Sequence, residues 1–193
     1  MIADEIAVGF GRTGKFFACE HASIWPDLMT LSKGLTGGYL PLSVVLSAEK
    51  IYQAFYQDDI RLGFLHSHSY TGNPLACTAA LATLDLFEST NALALVNDLA
   101  SELSTAFAWV NADSRLTNLR QLGSVLAFDV ANNYLPIHFS KIFASIAKDY
   151  GLLIRPIGNT VYVMPPYIIS KTEIEFLSQT IKDCLNKLLE EIS

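Results

Sequence analysis

Short apolar runs punctuated by glycine fill the first quarter of the chain, and apolar stripes at helical spacing take over after it. Met1 to Ile6, Asp27 to Leu31 and Leu42 to Ser47 read as strands, the last with β-branched residues at its centre. Runs this short and apolar suit buried parallel strands. Between them lie a glycine-rich loop, Gly9 to Lys15, and a glycine-rich turn, Gly34 to Gly38. Asn73-Pro74 sets an N-cap residue before proline at the first helical position, which predicts a helix from Leu75 to about Glu88. Ser89-Thr90-Asn91 breaks it, and Ala92, Val96, Leu99, Leu103 and Phe107 form the stripe of a second helix.

From about residue 115 the pattern changes. Leu126, Phe128 and Val130 alternate as one face of a strand does. Phe139, Ile142, Phe143 and Ile146 form a helical stripe that Gly151 closes. Leu152–Arg155 and Thr160–Met164 read as two strands joined by a short turn at Gly158-Asn159. Ser170 with Glu173 is a capping-box pair, opening a last amphipathic helix through Ile174, Leu177, Ile181, Leu185 and Leu188. No repeat or low-complexity linker interrupts the chain, and the shift in pattern predicts two regions, residues 1–91 and 92–193.

Composition adds a tension. The 193 residues are 51% apolar and 17% charged, enough to build a core. The mean hydropathy of +0.31 is high for a soluble domain, so apolar surface must face either a membrane or something outside this chain. Residues 62–84 carry no formal charge, but Gly63, His66, Ser67, His68, Gly72, Asn73 and Pro74 make them a loop running into a helix rather than a span. The acidic start does not suit a signal peptide. Three widely spaced cysteines, Cys19, Cys77 and Cys184, lead us to expect a reduced, cytoplasmic protein. A net charge of −6 without a basic stretch argues against nucleic acid as a partner.

Two motifs mislead. Gly9-Phe10-Gly11-Arg12-Thr13-Gly14 fits a dinucleotide fingerprint, but no sustained helical stripe follows to hold a pyrophosphate. Read as a phosphate-binding loop ending at Lys15, it has Phe16 where a Ser or Thr should ligate magnesium. We read it as a glycine-rich surface or interface loop. Neither His66 with His68 nor Cys19 with His21 has the partners a metal site needs, and no metal is assigned.

Asp4 lies near the end of the first predicted strand and Lys33 just past the end of the second. If those strands are parallel neighbours, both side chains open on the carboxyl edge of the sheet, where open α/β sheets bind ligands. The pair suits a plain salt bridge. It also suits chemistry: a lysine amine with a lowered pKa attacks an aldehyde to give a Schiff base. Pyridoxal 5'-phosphate (PLP) uses such a lysine together with an acid for its ring nitrogen.

The blocks Asp4–Gly14 and Ser32–Gly38, followed by His68-Ser69-Tyr70-Thr71-Gly72-Asn73-Pro74, resemble the motifs of the class III PLP-dependent aminotransferases, in order and at similar spacing. The resemblance implies an α/β fold of PLP-dependent fold type I. Residues 1–91 would be the C-terminal part of its large, parallel-sheet, PLP-binding domain, and residues 92–193 its small α+β C-terminal domain. It implies that Asp4 binds the pyridinium and that Lys33 is the catalytic lysine holding PLP. Ser69 would reach the PLP phosphate of a neighbouring subunit in a homodimer. A fourth block, Leu153–Gly158 with Tyr162–Tyr167, resembles the biotin-synthesis branch of that family. That branch moves an amino group from S-adenosyl-L-methionine to 8-amino-7-oxononanoate. It implies that Arg155 binds the acceptor carboxylate, a job for a planar bidentate donor, with Gly34 and Tyr162 beside the substrate. The alternatives are an arginine paired with a local acid, an ornithine- or other ω-amino-acid-type aminotransferase, and a non-catalytic remnant.

Family members are more than twice this length. Their N-terminal portion supplies a Gly-Ser phosphate turn, a ring-stacking aromatic and further strands of the large sheet. The chain is therefore expected to be a fragment, with an open sheet edge, an uncovered apolar face and little or no activity alone. An incomplete reading frame, a pseudogene remnant and half of a split enzyme would each give such a sequence.

Overall fold

A computed structural model of the chain describes residues 1–190. It divides into two compact units, Met1–Ala94 and the residues from Leu95 onward, so the division falls inside a helix, a few residues beyond the start of the second expected region at residue 92.

The first unit carries β1 (Ile2–Asp4), β2 (Leu28–Leu31) and β3 (Val44–Ser47) as a sheet in that order. β1 and β2 are parallel, with Ile2 opposite Leu28 and Asp4 opposite Thr30. β2 and β3 are antiparallel, with Leu31 opposite Val44. The expectation of buried parallel strands is thus corrected at β3. The chain from Ser32 to Ser43 holds only a one-turn 3₁₀ segment, Lys33–Thr36, and no crossover helix of the kind that returns a strand in parallel. Nor are these strands buried on both faces. Met29 and Leu31 are buried, while Ile2, Val45 and Leu46 are exposed. Two helices follow, α1 (Glu49–Phe55) and α2 (Pro74–Ser89). No apolar stripe announced α1, and it buries no residue. α2 starts where the cap predicts, the Asn73 carboxamide accepting from the amides of Leu75 at 3.0 Å and Ala76 at 3.3 Å. The core of this unit is small: Phe10, Cys19, Met29, Leu31, Leu35 and Ala80.

The second unit begins in α3 (Ala92–Ala106), whose predicted stripe is buried along its whole length. β4 (Leu116–Leu122), β5 (Val125–Val130) and β6 (Thr160–Val163) form an antiparallel sheet with β5 in the centre. Leu126, Phe128 and Val130 are buried as their alternation requires. They share one core with Leu103, Phe107, Phe143 of α4 (Phe139–Asp149) and Ile181 of α5 (Lys171–Glu190). Ile142 departs from its predicted stripe and is exposed, while Phe139, Phe143 and Ala147 carry the buried face. The capping box closes as expected: the Ser170 amide donates to Glu173 Oε2 at 2.7 Å, and the Glu173 amide to Ser170 Oγ at 3.3 Å.

Leu152–Arg155 is not a strand, which corrects another expectation. Ile157 and Thr160 exchange both backbone hydrogen bonds, at 2.9 Å, around Gly158 with φ near +60°, so the tight turn exists. Pro156 has no N–H with which to continue the ladder, and the Leu152 amide is taken by the carbonyl of Ala147 at the end of α4. Among the described residues no single helix is long and apolar enough to cross a membrane.

Candidate active site

The parallel register of β1 and β2 decides the site. Asp4 ends β1, and Lys33 follows its neighbour β2 after one intervening residue, so both belong to the same carboxyl edge. Among the described residues no ion pair joins them. Asp4 Oδ1 instead accepts from the amide of Ile6 at 3.0 Å and from the hydroxyl of Thr30 at 3.3 Å. The plain salt bridge is therefore not what this edge is built for. Lys33 is exposed, on a left-handed backbone with φ of +44°. That conformation is rare for a residue with a side chain and needs support from its surroundings. The support is local. The Leu35 amide closes the turn onto the Ser32 carbonyl at 3.0 Å, Ser32 Oγ donates to the Leu42 carbonyl at 2.7 Å, and Thr36 Oγ1 donates to the Leu40 carbonyl at 2.6 Å.

The glycine-rich loop braces this turn from one side. Of the surface or interface loop expected, the surface reading is corrected: Gly9, Phe10, Gly11 and Thr13 are all buried. The side chain responsible is Glu5, 2% exposed. Its two carboxylate oxygens accept from the amides of Ala18 and Cys19, each at 2.8 Å. They fold residues 5–19 back on themselves and cap a short 3₁₀ turn, Ala18–Ala22. His21 Nε2 lies 3.0 Å from the carbonyl oxygen of Thr13 and ties the loop again. The loop then brings Phe10 onto Gly34, where an added β-carbon would lie 3.0 Å from Phe10 Cβ and Cδ2. Gly34 is thus a residue of close packing, directly beside Lys33. Burial, with Glu5 and Glu20 nearby, pushes the Cys19 thiol up, which keeps it an unreactive core group.

Ser69 lies in an exposed turn, His68–Thr71, closed by the Thr71 amide on the His68 carbonyl at 3.0 Å. Among the described residues no cluster of three or more His, Cys, Asp or Glu side chains could hold a metal ion.

In the second unit, Arg155 and Tyr162 line one open groove of about 650 Å³. The rest of its lining is mostly apolar, from Ile154, Met164, Ile168 and Phe176 among others, and it also includes Glu173, whose carboxylate is engaged by Ser170. Arg155 is exposed and forms no ion pair among the described residues, so a local acid does not occupy its guanidinium. Such a cation in a mostly apolar groove suits a ligand with a carboxylate and a hydrocarbon body.

Sequence reasoning missed Thr30, Glu5 and Phe10. Glu5 follows Asp4 directly, and one step along an extended chain turns the next side chain to the opposite face. The two acids therefore serve different ends, one exposed and one buried, and nothing in their residue type separates them. For Thr30 the only signal was its position three residues before Lys33.

Comparison with known proteins gives the family of the chain. The family model described as aminotransferase class III matches residues 1–185. The chain is 44% identical to adenosylmethionine-8-amino-7-oxononanoate aminotransferase of Helicobacter pylori, with 97% of this chain and 44% of that protein covered. It is 42% identical to the protein of the same name from Synechococcus elongatus, again over 97% of this chain and 44% of the relative. The crystal structure of adenosylmethionine-8-amino-7-oxononanoate aminotransferase from Methanocaldococcus jannaschii superposes with a TM-score of 0.88 at 32% identity, covering 97% of this chain and 45% of that one. A Bacillus anthracis aminotransferase gives a TM-score of 0.85 at 29% identity, covering 96% of this chain and 44% of that one. The chain thus spans less than half the length of these relatives.

Proposed function

The chain belongs to the class III aminotransferases, a PLP-dependent family, and on that premise we propose that it is the carboxyl-terminal portion of a biotin-pathway enzyme. The reaction proposed moves an amino group from S-adenosyl-L-methionine to 8-amino-7-oxononanoate and yields 7,8-diaminononanoate. The substrates come from the names of the relatives. The observation that carries the reading in this chain is the parallel pairing of β1 with β2, which gives Asp4 and Lys33 one sheet edge.

The residues present fit PLP. An exposed lysine amine and a carboxylate with only one oxygen engaged are the donor set that an aldehyde on a pyridinium ring requires. Lys33 would hold the aldehyde carbon and Asp4 the ring nitrogen. When bound, PLP supplies an electron sink for the charge left as the substrate loses its α-proton. The Nζ of Lys33 would accept that proton and return it at the neighbouring carbon. Asp4 would keep the ring nitrogen protonated by placing a negative charge beside it. In the second unit Arg155 would bind the acceptor carboxylate and the mostly apolar groove that Tyr162 also lines would take its methylene chain; in the first unit Gly34 beside Lys33 would be a substrate-binding residue. We further propose that Ser69 holds a PLP phosphate across a homodimer, that the first unit is part of the PLP-binding domain, and that the protein is cytoplasmic.

The test is a transamination assay with S-adenosyl-L-methionine and 8-amino-7-oxononanoate. It is run on the 193-residue chain alone and on the chain joined to the N-terminal portion of a relative such as the Helicobacter pylori protein. We expect little or no product from the chain alone and product from the joined protein, abolished by Lys33→Ala. Product that survives Lys33→Ala removes the lysine's role. A joined protein that takes up no PLP leaves a non-catalytic remnant. Turnover with ornithine or β-alanine but not S-adenosyl-L-methionine moves the chain to another branch of the family.

A further inference from the structure

Asp4 is held in an unsymmetrical way. Both of its hydrogen bonds end on Oδ1, one from the Ile6 amide two residues on and one from the Thr30 hydroxyl on the adjoining strand. The first is a local turn contact, common for aspartate, that leaves the carboxylate some freedom to rotate. The second comes from the residue paired with Asp4 across the parallel ladder. Thr30 alternates with the buried Met29 and Leu31 and is only half-buried itself, so it is placed away from the core that those two residues build. Its backbone is also engaged at this edge, the Thr30 carbonyl accepting from the Glu5 amide at 3.0 Å. The strand that positions the hydroxyl is therefore tied to the residue immediately after Asp4.

We propose that Thr30 is a positioning residue for Asp4: together with the Ile6 amide, its hydroxyl fixes one carboxylate oxygen so that the other is kept for the cofactor's ring nitrogen. Two donors, one from the turn after β1 and one from β2, converging on one oxygen define the carboxylate plane, which a single donor cannot do. A valine in its place would suit the strand equally well, so strand formation alone does not call for the hydroxyl. The inference rests on the PLP reading of the site, and its test separates the two.

PLP is titrated into the full chain as wild type, Thr30→Val, Thr30→Ser and Asp4→Ala. Uptake is followed by absorbance across pH and by borohydride trapping mapped to Lys33, and amide hydrogen exchange at Ile6 is measured without PLP. Thr30→Val is expected to weaken PLP binding about three- to tenfold, the range for one ordinary hydrogen bond, because the contact is long at 3.3 Å. It should also move the pH midpoint of the bound-PLP absorbance and speed Ile6 exchange several-fold, with circular dichroism unchanged. Thr30→Ser, which keeps the donor, is expected to recover all three. Wild-type PLP affinity in Thr30→Val overturns the proposal, whatever Ile6 does. So does a Thr30→Ser variant as weak as Thr30→Val, since shape rather than the hydroxyl would then be at work. If the wild-type chain takes up no PLP, the titration is repeated on the chain joined to the N-terminal portion of a relative: no uptake there removes the cofactor reading, and Ile6 exchange then decides alone, an unchanged rate in Thr30→Val removing Thr30 as the residue that orients Asp4.

Discussion

In the second unit β5 lies between two partners and buries every second residue against helices α3, α4 and α5, with Phe107, Phe128 and Phe143 wholly buried. In the first unit a sheet of the same strand number has a smaller core, and Ile2, Val45, Trp25 and Leu65 remain exposed. The Asp4–Lys33 edge nevertheless belongs to the first unit. What secures the second unit is apolar packing; what secures the Asp4–Lys33 edge is directional hydrogen bonding around Glu5, Ser32 and Thr36. Packing is tolerant of direction, whereas a left-handed lysine next to a close-packed glycine is not, so the two units should respond differently to the same kind of change.

The largest effect should come from the packed unit. Phe128→Ala is expected to destabilise it by about 3–5 kcal/mol, the range for truncating a fully buried phenylalanine. The chain's two tryptophans make this measurable: Trp109 packs against the core of the second unit, while Trp25 in the first is exposed. Urea unfolding followed by tryptophan emission should lose stability in the transition that reports Trp109. A loss below about 1 kcal/mol would show that this core is not what secures the unit.

In the first unit, Glu5→Ala strands two amide donors and should cost about 2–3 kcal/mol. Its signature is local: Cys19 should become reactive toward a thiol reagent while Cys184, wholly buried in the second unit, stays protected. Equal exposure of both thiols would mean that the units do not unfold separately. Gly34→Ala should cost less, about 1–2 kcal/mol, because its new β-carbon meets Phe10 at 3.0 Å. It should impair trapping of PLP on Lys33 more than it impairs folding, and the reverse ranking counts against Phe10 as the brace of Lys33.

Acid sharpens the contrast further. The Arg115 side chain bonded to Asp113 holds that carboxyl below its usual value. A group depressed on folding contributes above its unfolded pKa, about 3.9, and loses that contribution as pH falls through the lower folded value. Asp113→Asn should therefore destabilise the second unit by about 1 kcal/mol at neutral pH and flatten its stability below about pH 4. Asp27 in the first unit, held down to about 2 by Lys50 and the amine of Met1, lies in a solvated ion pair and should contribute little when replaced by Asn. The smallest change is expected on the exposed side of β3: Val45→Thr should alter stability by less than about 0.5 kcal/mol while lowering aggregation measured by light scattering. A larger cost there would show that this strand face is packed in solution.

Features fixed by neighbours a few residues apart were legible in the sequence. The Asn73 cap, the Ser170–Glu173 box, the α3 stripe and the β5 alternation depend on spacings the chain itself displays, because helix and strand geometry turn spacing into sidedness. Asp4 and Lys33 stood out by residue type and by the motifs around them. Tertiary structure alone decided the rest. The register that sets Asp4 opposite Thr30 joins residues 26 positions apart. The reversal that makes β3 antiparallel, the burial of Glu5 and the contact of Phe10 with Gly34 likewise depend on where the chain returns after a loop. No local period encodes that return, so residue type could name the lysine and its acid, and only the folded chain could show which side chains hold them in place.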